Sequence, residues 1–147
     1  QIHLAQVGTR VFYCDLGSFD THADQLATHG NLWSDASAAI RDFFDDLEEH
    51  QAADNVVMFL FSEFGRRVYD NGAGTDHGAG GVCLAIGRGV KGGEYGEYPS
   101  MKESDLDQGD LVATIDFRGV YTTLMEDWMK LDPLPVVGGA FEKPAFI

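Results

Sequence analysis

The hydrophobic pattern of the chain predicts three strands. Residues 9–17, "TRVFYCDLG", are short, β-branched and aromatic, and the stretch ends in glycine. Residues 56–61, "VVMFLF", form a continuous apolar run, and a third run, "VCLAIGRG", begins at Val82. Such composition favours strands, and an unbroken apolar run is typical of a strand covered on both faces. We therefore expect the first two of these strands to be buried.

A helix is predicted between the first two strands. Thr21 is its predicted N-cap, Gly30 a predicted interruption, and His50 marks its predicted end. Acidic side chains fill one face, and the apolar positions that recur at helical spacing on the other are Leu26, Trp33, Ile40, Phe43, Phe44 and Leu47. The resulting order is strand, helix, strand, and the helix is long enough to form a crossover between two parallel strands.

The second half of the chain is predicted to be less regular. Residues 65–81 carry five glycines from Gly72 onward and are predicted to form a long loop. Residues 91–111 are polar, with little regular structure expected. Asp116 is a predicted helix cap, because apolar residues at helical spacing follow it. With no internal repeat and no linker, residues 1–147 are expected to form a single domain.

Composition and charge narrow the range of partners. The chain has 147 residues, 44% of them hydrophobic, which is typical of a globular protein. A net charge of -14, from 24 acidic and 10 basic residues, disfavours nucleic acid as a partner, because phosphate binding needs a basic face. No stretch is long and apolar enough for a membrane span, and residue 1 onward lacks the pattern of a signal peptide. The two cysteines, Cys14 and Cys83, lie in apolar runs and are predicted to be buried free thiols, with a disulfide as the alternative.

Polar side chains follow the predicted strands at positions that suit a metal site. Asp20 and His22 follow the first strand, Glu63 follows the second, and Asp76 and His77 lie in the next loop. Ligands bind beyond the carboxyl ends of parallel strands, so these residues are expected to converge. Carboxylate oxygens and imidazole nitrogens bind divalent ions such as zinc, manganese, magnesium or calcium. We predict that His22 and His77 share one ion, with Asp20 as a third ligand.

Each of these residues also has a simpler interpretation. Asp20 can act as a helix cap, and Glu63 can form an ion pair with Arg66 or Arg67. The stretch "GTDHGAGG" can form an anion-binding nest of backbone amides. Arg66 and Lys91 are candidates to bind an anionic substrate, and solvated surface positions are the alternative for both.

Five linked stretches together resemble a known family. "GSFDTHADQ", "FSEFGRRV", "GTDHGAGG", "GRGVKGGEYGEYPS" and "ATIDFRGVYTTLMEDWM" occur in this order. The chain resembles the carboxyl-terminal part of the secreted bacterial proteins called domain of unknown function fifteen-oh-one, which are grouped with the alkaline phosphatase and sulfatase superfamily. The resemblance implies an α/β sandwich with a mainly parallel sheet, present here as a partial copy of a larger sulfatase-like domain. It also implies a periplasmic or secreted location.

The resemblance assigns roles to particular residues and shows where the pattern is broken. Asp20 and His22 match the Asp and His that help to hold one metal in the superfamily, and His77 fits the later His by order. At the second metal, Glu63 replaces the usual acid, and Phe64 stands where a His is expected. The nucleophile and a further metal-binding Asp come from an upstream strand in the superfamily, and nothing before Thr9 matches them.

Two functions follow as hypotheses. The first is a metal-dependent hydrolase-like domain for phosphate or sulfate esters, incomplete or inactive in isolation, with a small-molecule or polysaccharide anionic ester as its partner. The alternative is a non-catalytic secreted binding or structural domain that retains the fold.

Overall fold

A computed structural model of the chain describes residues 8–147, and it divides into two compact units. The first contains residues 8–56 together with Asp70–Asp76, and the second contains Val57–Tyr69 and His77–Ile147. Each unit is described by itself below. The expectation of one domain over residues 1–147 stays a prediction.

The first unit is built on the predicted helix. Helix α1, Gln25–Glu49, runs without interruption through Gly30 and is followed by His50, so its end is confirmed and its interruption is wrong. Capping by Thr21 is also wrong, because the cap position is Asp24, which makes no side-chain cap bond. Thr21 is buried instead. The small core of the unit joins the end of α1 to the 3₁₀ turn Ala53–Asn55 and consists of Leu47, Ala52 and Ala53, with Phe43, Phe44 and Val56 packed around them.

Residues 9–17 do not form the predicted buried strand. They have no regular secondary structure. Their large apolar side chains are half or more exposed, and Cys14 is exposed as well; the apolar residues concerned are Val11, Phe12, Tyr13 and Leu16. The β propensity of this segment is therefore not realised, because no strand within residues 8–147 pairs with it.

The four strands of the described chain form two short two-stranded sheets. Strands β1, Met58–Leu60, β2, Gly65–Asp70, β3, Thr75–Gly78, and β4, Leu84–Ile86, pair as β1 with β4 and β2 with β3. Strands β1 and β4 are antiparallel, with Met58 opposite Ile86. The predicted second and third strands therefore exist, but the expected sandwich with a mainly parallel sheet is wrong. The predicted crossover helix forms, but residues 9–17 before it form no strand, so it does not connect two parallel strands. The segment from β1 to β4 contains the β2–β3 hairpin and no helix.

Strands β2 and β3 form a hairpin where the sequence predicted a long loop. Gly65 of β2 allows β3 and the residues just after it to approach closely, since a Cβ atom there would overlap the carbonyl oxygens of Gly78 and Gly80. At the turn, Gly72 has a φ of 96°, a conformation that favours glycine. Glycine thus serves strand pairing and the turn here, although its frequency indicated a loop.

The second unit ends in helical segments. Helix α2, Phe117–Thr123, continues into a π turn, Leu124–Trp128, and helix α3 is Leu134–Val137. Asp116 is the N-cap of α2, as predicted, because its carboxylate accepts a hydrogen bond from the Arg118 backbone N–H at 2.9 Å. The buried residues of this part are Gly119, Val120, Thr122, Thr123, Pro133, Val137 and Phe146. In the same unit Cys83 is exposed, so its predicted burial is wrong.

Candidate metal centre

An aromatic contact fixes the segment that carries Asp20 and His22. This segment has no regular secondary structure, but the ring of Phe19 packs edge-on against Trp33 of α1, with ring centroids 5.4 Å apart. Phe19 also packs edge-on against His29 at 5.9 Å, and the Trp33 indole N–H donates to His29 Nε2 at 3.0 Å. The ring next to Asp20 is therefore anchored on the second and third turns of α1.

The tip of the β2–β3 hairpin docks on the first turn of α1. The backbone N–H of Gln25 donates to the Ala73 carbonyl at 3.2 Å, and the Thr75 hydroxyl donates to the Gln25 side-chain oxygen at 3.1 Å. Gly74 lies against the backbone of His22, where an added Cβ would be 3.0 Å from the His22 carbonyl carbon. This docking brings the strand residue Asp76 to His22.

His22 lies between two carboxylates in the first unit. Its Nε2 atom is 2.9 Å from Asp20 Oδ1, and its Nδ1 atom is 3.1 Å from Asp76 Oδ1. All three side chains are about half exposed, with values of 45% for His22, 54% for Asp20 and 58% for Asp76. Two carboxylates around one imidazole make this part of the first unit acidic, although solvent screens part of their attraction for a metal cation.

Asn71 connects the hairpin turn to this cluster. Its Oδ1 accepts hydrogen bonds from the backbone N–H groups of Ala73 and Gly74, at 3.0 and 2.9 Å. Its Nδ2 donates to Asp76 Oδ1 at 3.0 Å and to the His22 carbonyl at 3.2 Å. Asn71 is not among the site residues that the sequence predicted. The signal that was available is its place in "DNGAG", where Asn and Gly together indicate a tight turn.

The other predicted site residues belong to the second unit. Glu63 is exposed in the segment between β1 and β2. The His77 ring stacks on Phe64, with centroids 4.3 Å apart and an interplanar angle of 8°. The Arg66 guanidinium lies 4.9 Å from the centroid of the same Phe64 ring. Lys91 Nζ donates to the Ile147 carbonyl at 2.5 Å. The sharing of an ion by His22 and His77 stays a prediction, as do the roles of Glu63, Arg66 and Lys91.

The first unit brings together an imidazole nitrogen and a carboxylate oxygen, which are donor types that bind divalent cations in proteins. A tetrahedral ion with bonds of about 2.0–2.1 Å holds neighbouring ligand atoms roughly 3.3 Å apart. His22 Nε2 and Asp20 Oδ1 lie 2.9 Å apart, so a shift of a few tenths of an ångström would allow both to bind one ion. An imidazole nitrogen with a carboxylate oxygen fits zinc or manganese better than the all-oxygen shell that calcium prefers.

Comparison with known proteins identifies the family. The model of the family described as "Protein of unknown function (DUF1501)" matches residues 1–132, and the chain belongs to this family. No curated protein and no solved structure matches the chain. Within residues 8–147, none of the helices combines the length and the apolar character needed to cross a membrane.

Proposed function

We propose that this chain carries the metal-binding residues of a metal-dependent, hydrolase-like protein for phosphate or sulfate esters. The observation that supports the proposal is the position of His22 between Asp20 and Asp76, with both contacts close to hydrogen-bond length. Residues that are 54 positions apart in the chain meet there through the docking of the hairpin tip on α1. A periplasmic or secreted location, as the resemblance implies, is part of the proposal.

The residues of the first unit would bind the ion through His22 Nε2 and the Asp20 carboxylate. A bound divalent ion would polarise an ester oxygen or lower the pKa of a water molecule. Arg66 and Lys91 are proposed to attract the anionic ester by charge. Both His22 and Asp20 are half exposed, so the ion and a substrate could reach them directly from solvent.

A second candidate function is a non-catalytic binding domain that retains one metal. The observation that favours it is Phe64, which occupies the position where the resemblance calls for a histidine and stacks on His77. A phenyl ring offers no lone pair to a metal ion, so a conventional second metal is disfavoured at that position.

Hydrolysis assays on the 147-residue chain separate the two candidates. Aryl phosphates and aryl sulfates are incubated with zinc, manganese, magnesium or calcium, on the parent chain and on His22→Ala and Asp20→Asn. Hydrolysis that a chelator abolishes, and that both variants lose, supports the hydrolase. Metal binding without hydrolysis contradicts an ester hydrolase that is complete within this chain, and it is the result that the second candidate predicts. A chain that neither binds a metal nor hydrolyses any ester contradicts both.

A further inference from the structure

We propose that Asp76 orients His22 instead of binding the ion, and that Asn71 is the positioning residue that holds Asp76; this inference rests on the proposed metal function. The two ring nitrogens of His22 face different carboxylates, with Nδ1 toward Asp76 and Nε2 toward Asp20. One carboxylate therefore lies on each side of the ring. The sequence placed Asp76 among the ligands, and the geometry assigns it a different task.

The division of the ring follows from the chemistry of imidazole ligands. A histidine that binds a metal through one nitrogen usually donates its other ring N–H to a carboxylate or carbonyl, which fixes the tautomer and the orientation of the ring. With the proton on Nδ1 and directed to Asp76, the lone pair of Nε2 points toward the side on which Asp20 lies. His22 Nε2 and Asp20 then bind the ion together, and Asp76 selects the Nδ1–H tautomer that leaves the Nε2 lone pair available for it.

Asn71 is suited to hold Asp76 because the two ends of its amide have separate partners. Its oxygen is directed to two backbone N–H groups of the turn, at Ala73 and Gly74, which requires an acceptor there. Its nitrogen must then face Asp76 Oδ1 and the His22 carbonyl, and both are acceptors. The opposite orientation of the amide would set donors against donors and acceptors against acceptors, so the partners determine the orientation.

The same carboxylate oxygen of Asp76 is in hydrogen-bond contact with both His22 and Asn71. Asp76 Oδ1 is 3.1 Å from His22 Nδ1 and 3.0 Å from Asn71 Nδ2. Asn71 also donates to the backbone carbonyl of His22, so it is hydrogen-bonded to both His22 and Asp76. Loss of the amide donor should release Asp76 from its fixed position and weaken the preference of His22 for the Nδ1–H tautomer.

Two variants separate this role from the support of the turn. Asn71→Ser keeps a side-chain acceptor for the turn amides but is too short to reach Asp76 as the amide does. Asp76→Asn leaves the turn residue intact and removes the carboxylate charge that holds the proton on Nδ1. Asn31→Ser is the matched control, because Asn31 is an exposed residue of α1 in the same unit.

The first measurement is ¹⁵N NMR of the neutral His22 ring without metal, in an Asp20→Ala chain, because the Asp20 carboxylate lies 2.9 Å from Nε2 and would compete with Asp76 for the ring proton. We expect the Nδ1–H tautomer to predominate in this chain and after the addition of Asn31→Ser. Added to the same chain, Asn71→Ser and Asp76→Asn should each increase the Nε2–H tautomer markedly. A role confined to the turn would leave the tautomer ratio unchanged, and that result in both variants overturns the inference.

The second measurement is calorimetric titration of the parent chain and of the single variants, all with Asp20 in place, with zinc. Loss of a residue that orients a ligand typically weakens metal binding by about 10–100-fold, and we expect a loss in this range for both site variants. A parent chain without zinc binding contradicts the proposed function, while the NMR result still decides whether Asn71 and Asp76 set the tautomer. Zinc binding by the parent with equal affinity in both variants contradicts the inference alone. If Asn71→Ser does not fold, Asp76→Asn decides by itself.

Discussion

The Nδ1 atom of His22 lies 3.1 Å from Oδ1 of Asp76, although the two residues are 54 positions apart in the chain. The contact depends on the hairpin tip, where Gln25 donates its backbone N–H to Ala73 and Gly74 lies against the His22 backbone. A cluster that looks like a set of ligands in the sequence is therefore held by turn geometry and by main-chain docking.

Gly74→Ala should destabilise the first unit. The added methyl group would lie 3.0 Å from the carbonyl carbon and oxygen of His22 and from the Thr21 oxygen, and all of these are backbone atoms. Since the backbone moves less easily than a side chain, we expect a loss of about 1–3 kcal/mol, which is typical of overpacking. Urea denaturation followed by circular dichroism measures the change in the free energy of unfolding.

Gly30→Ala is the matched control for that substitution. Gly30 lies inside α1, and an added Cβ there would meet no atom within 4 Å. Alanine in a helix interior is more favourable than glycine by roughly 0.5–1 kcal/mol, so this variant should be more stable than the parent. Equal effects of the two substitutions would contradict the docking of the tip at Gly74.

The cap of α2 can be tested at Asp116. Asp116→Ala removes the hydrogen bond to the Arg118 N–H and should lower the melting temperature by the small amount typical of a lost cap. Asp116→Asn keeps a side-chain acceptor at the cap but loses the ion pair with the Arg118 guanidinium, whose closest contact is 2.6 Å. We expect the asparagine variant to melt between the parent and the alanine variant. If the asparagine variant is as unstable as the alanine variant, the ion pair is the larger contribution and the cap assignment fails.

The same residue predicts a pH dependence. Side-chain and backbone hydrogen bonds from Arg118 hold the pKa of Asp116 below its usual value. A carboxyl group whose pKa is lower in the folded state adds stability above its unfolded pKa of about 3.9, and this stability is lost as the pH falls through the folded pKa. The stability difference between the parent and Asp116→Asn should therefore be constant near neutral pH and should decrease in acid. Thermal denaturation of both chains over this range measures it, and a difference that grows in acid would contradict the assignment.

Much of the local structure could be predicted from periodicity. The apolar positions of α1 recur at helical spacing through Leu47, and the Asp116 cap precedes a second such series. Strands β1 and β4 were recognisable as short apolar runs. Each of these elements depends on residues within one or two helical turns or within one strand, so the local sequence is sufficient to predict it.

The pairing of these elements could not be predicted. The segment around Phe12 has strand composition, but strand formation needs a partner, and no strand of the described chain pairs with it. The glycines from Gly65 to Gly80 indicated a loop because their role in close strand approach depends on tertiary contacts. The relative direction of the paired strands could not be predicted for the same reason, since nothing in the β1 sequence shows that β4 pairs antiparallel to it.

The candidate site was predicted in part. Asp20, His22 and Asp76 were chosen because acids and imidazoles stood in glycine-rich turns, and in the first unit these three are in contact. The parallel sheet edge at which these residues were expected to meet does not exist in residues 8–147. The hairpin tip brings them together instead, and Asn71 was missed because an asparagine in a turn usually serves only the turn.

The most direct test of the account is calorimetric titration of the 147-residue chain with zinc and with manganese, on the parent, His22→Ala, Asp20→Asn and the control His50→Ala. His50 lies at the opposite end of α1 in the same unit. Because imidazole and carboxylate bind metal in their deprotonated forms, the affinity of the parent should also decrease as the pH is lowered. The account predicts one site in the parent and in His50→Ala, and loss of that site in the other two variants. Zinc and manganese binding that survives unchanged in both His22→Ala and Asp20→Asn would contradict it.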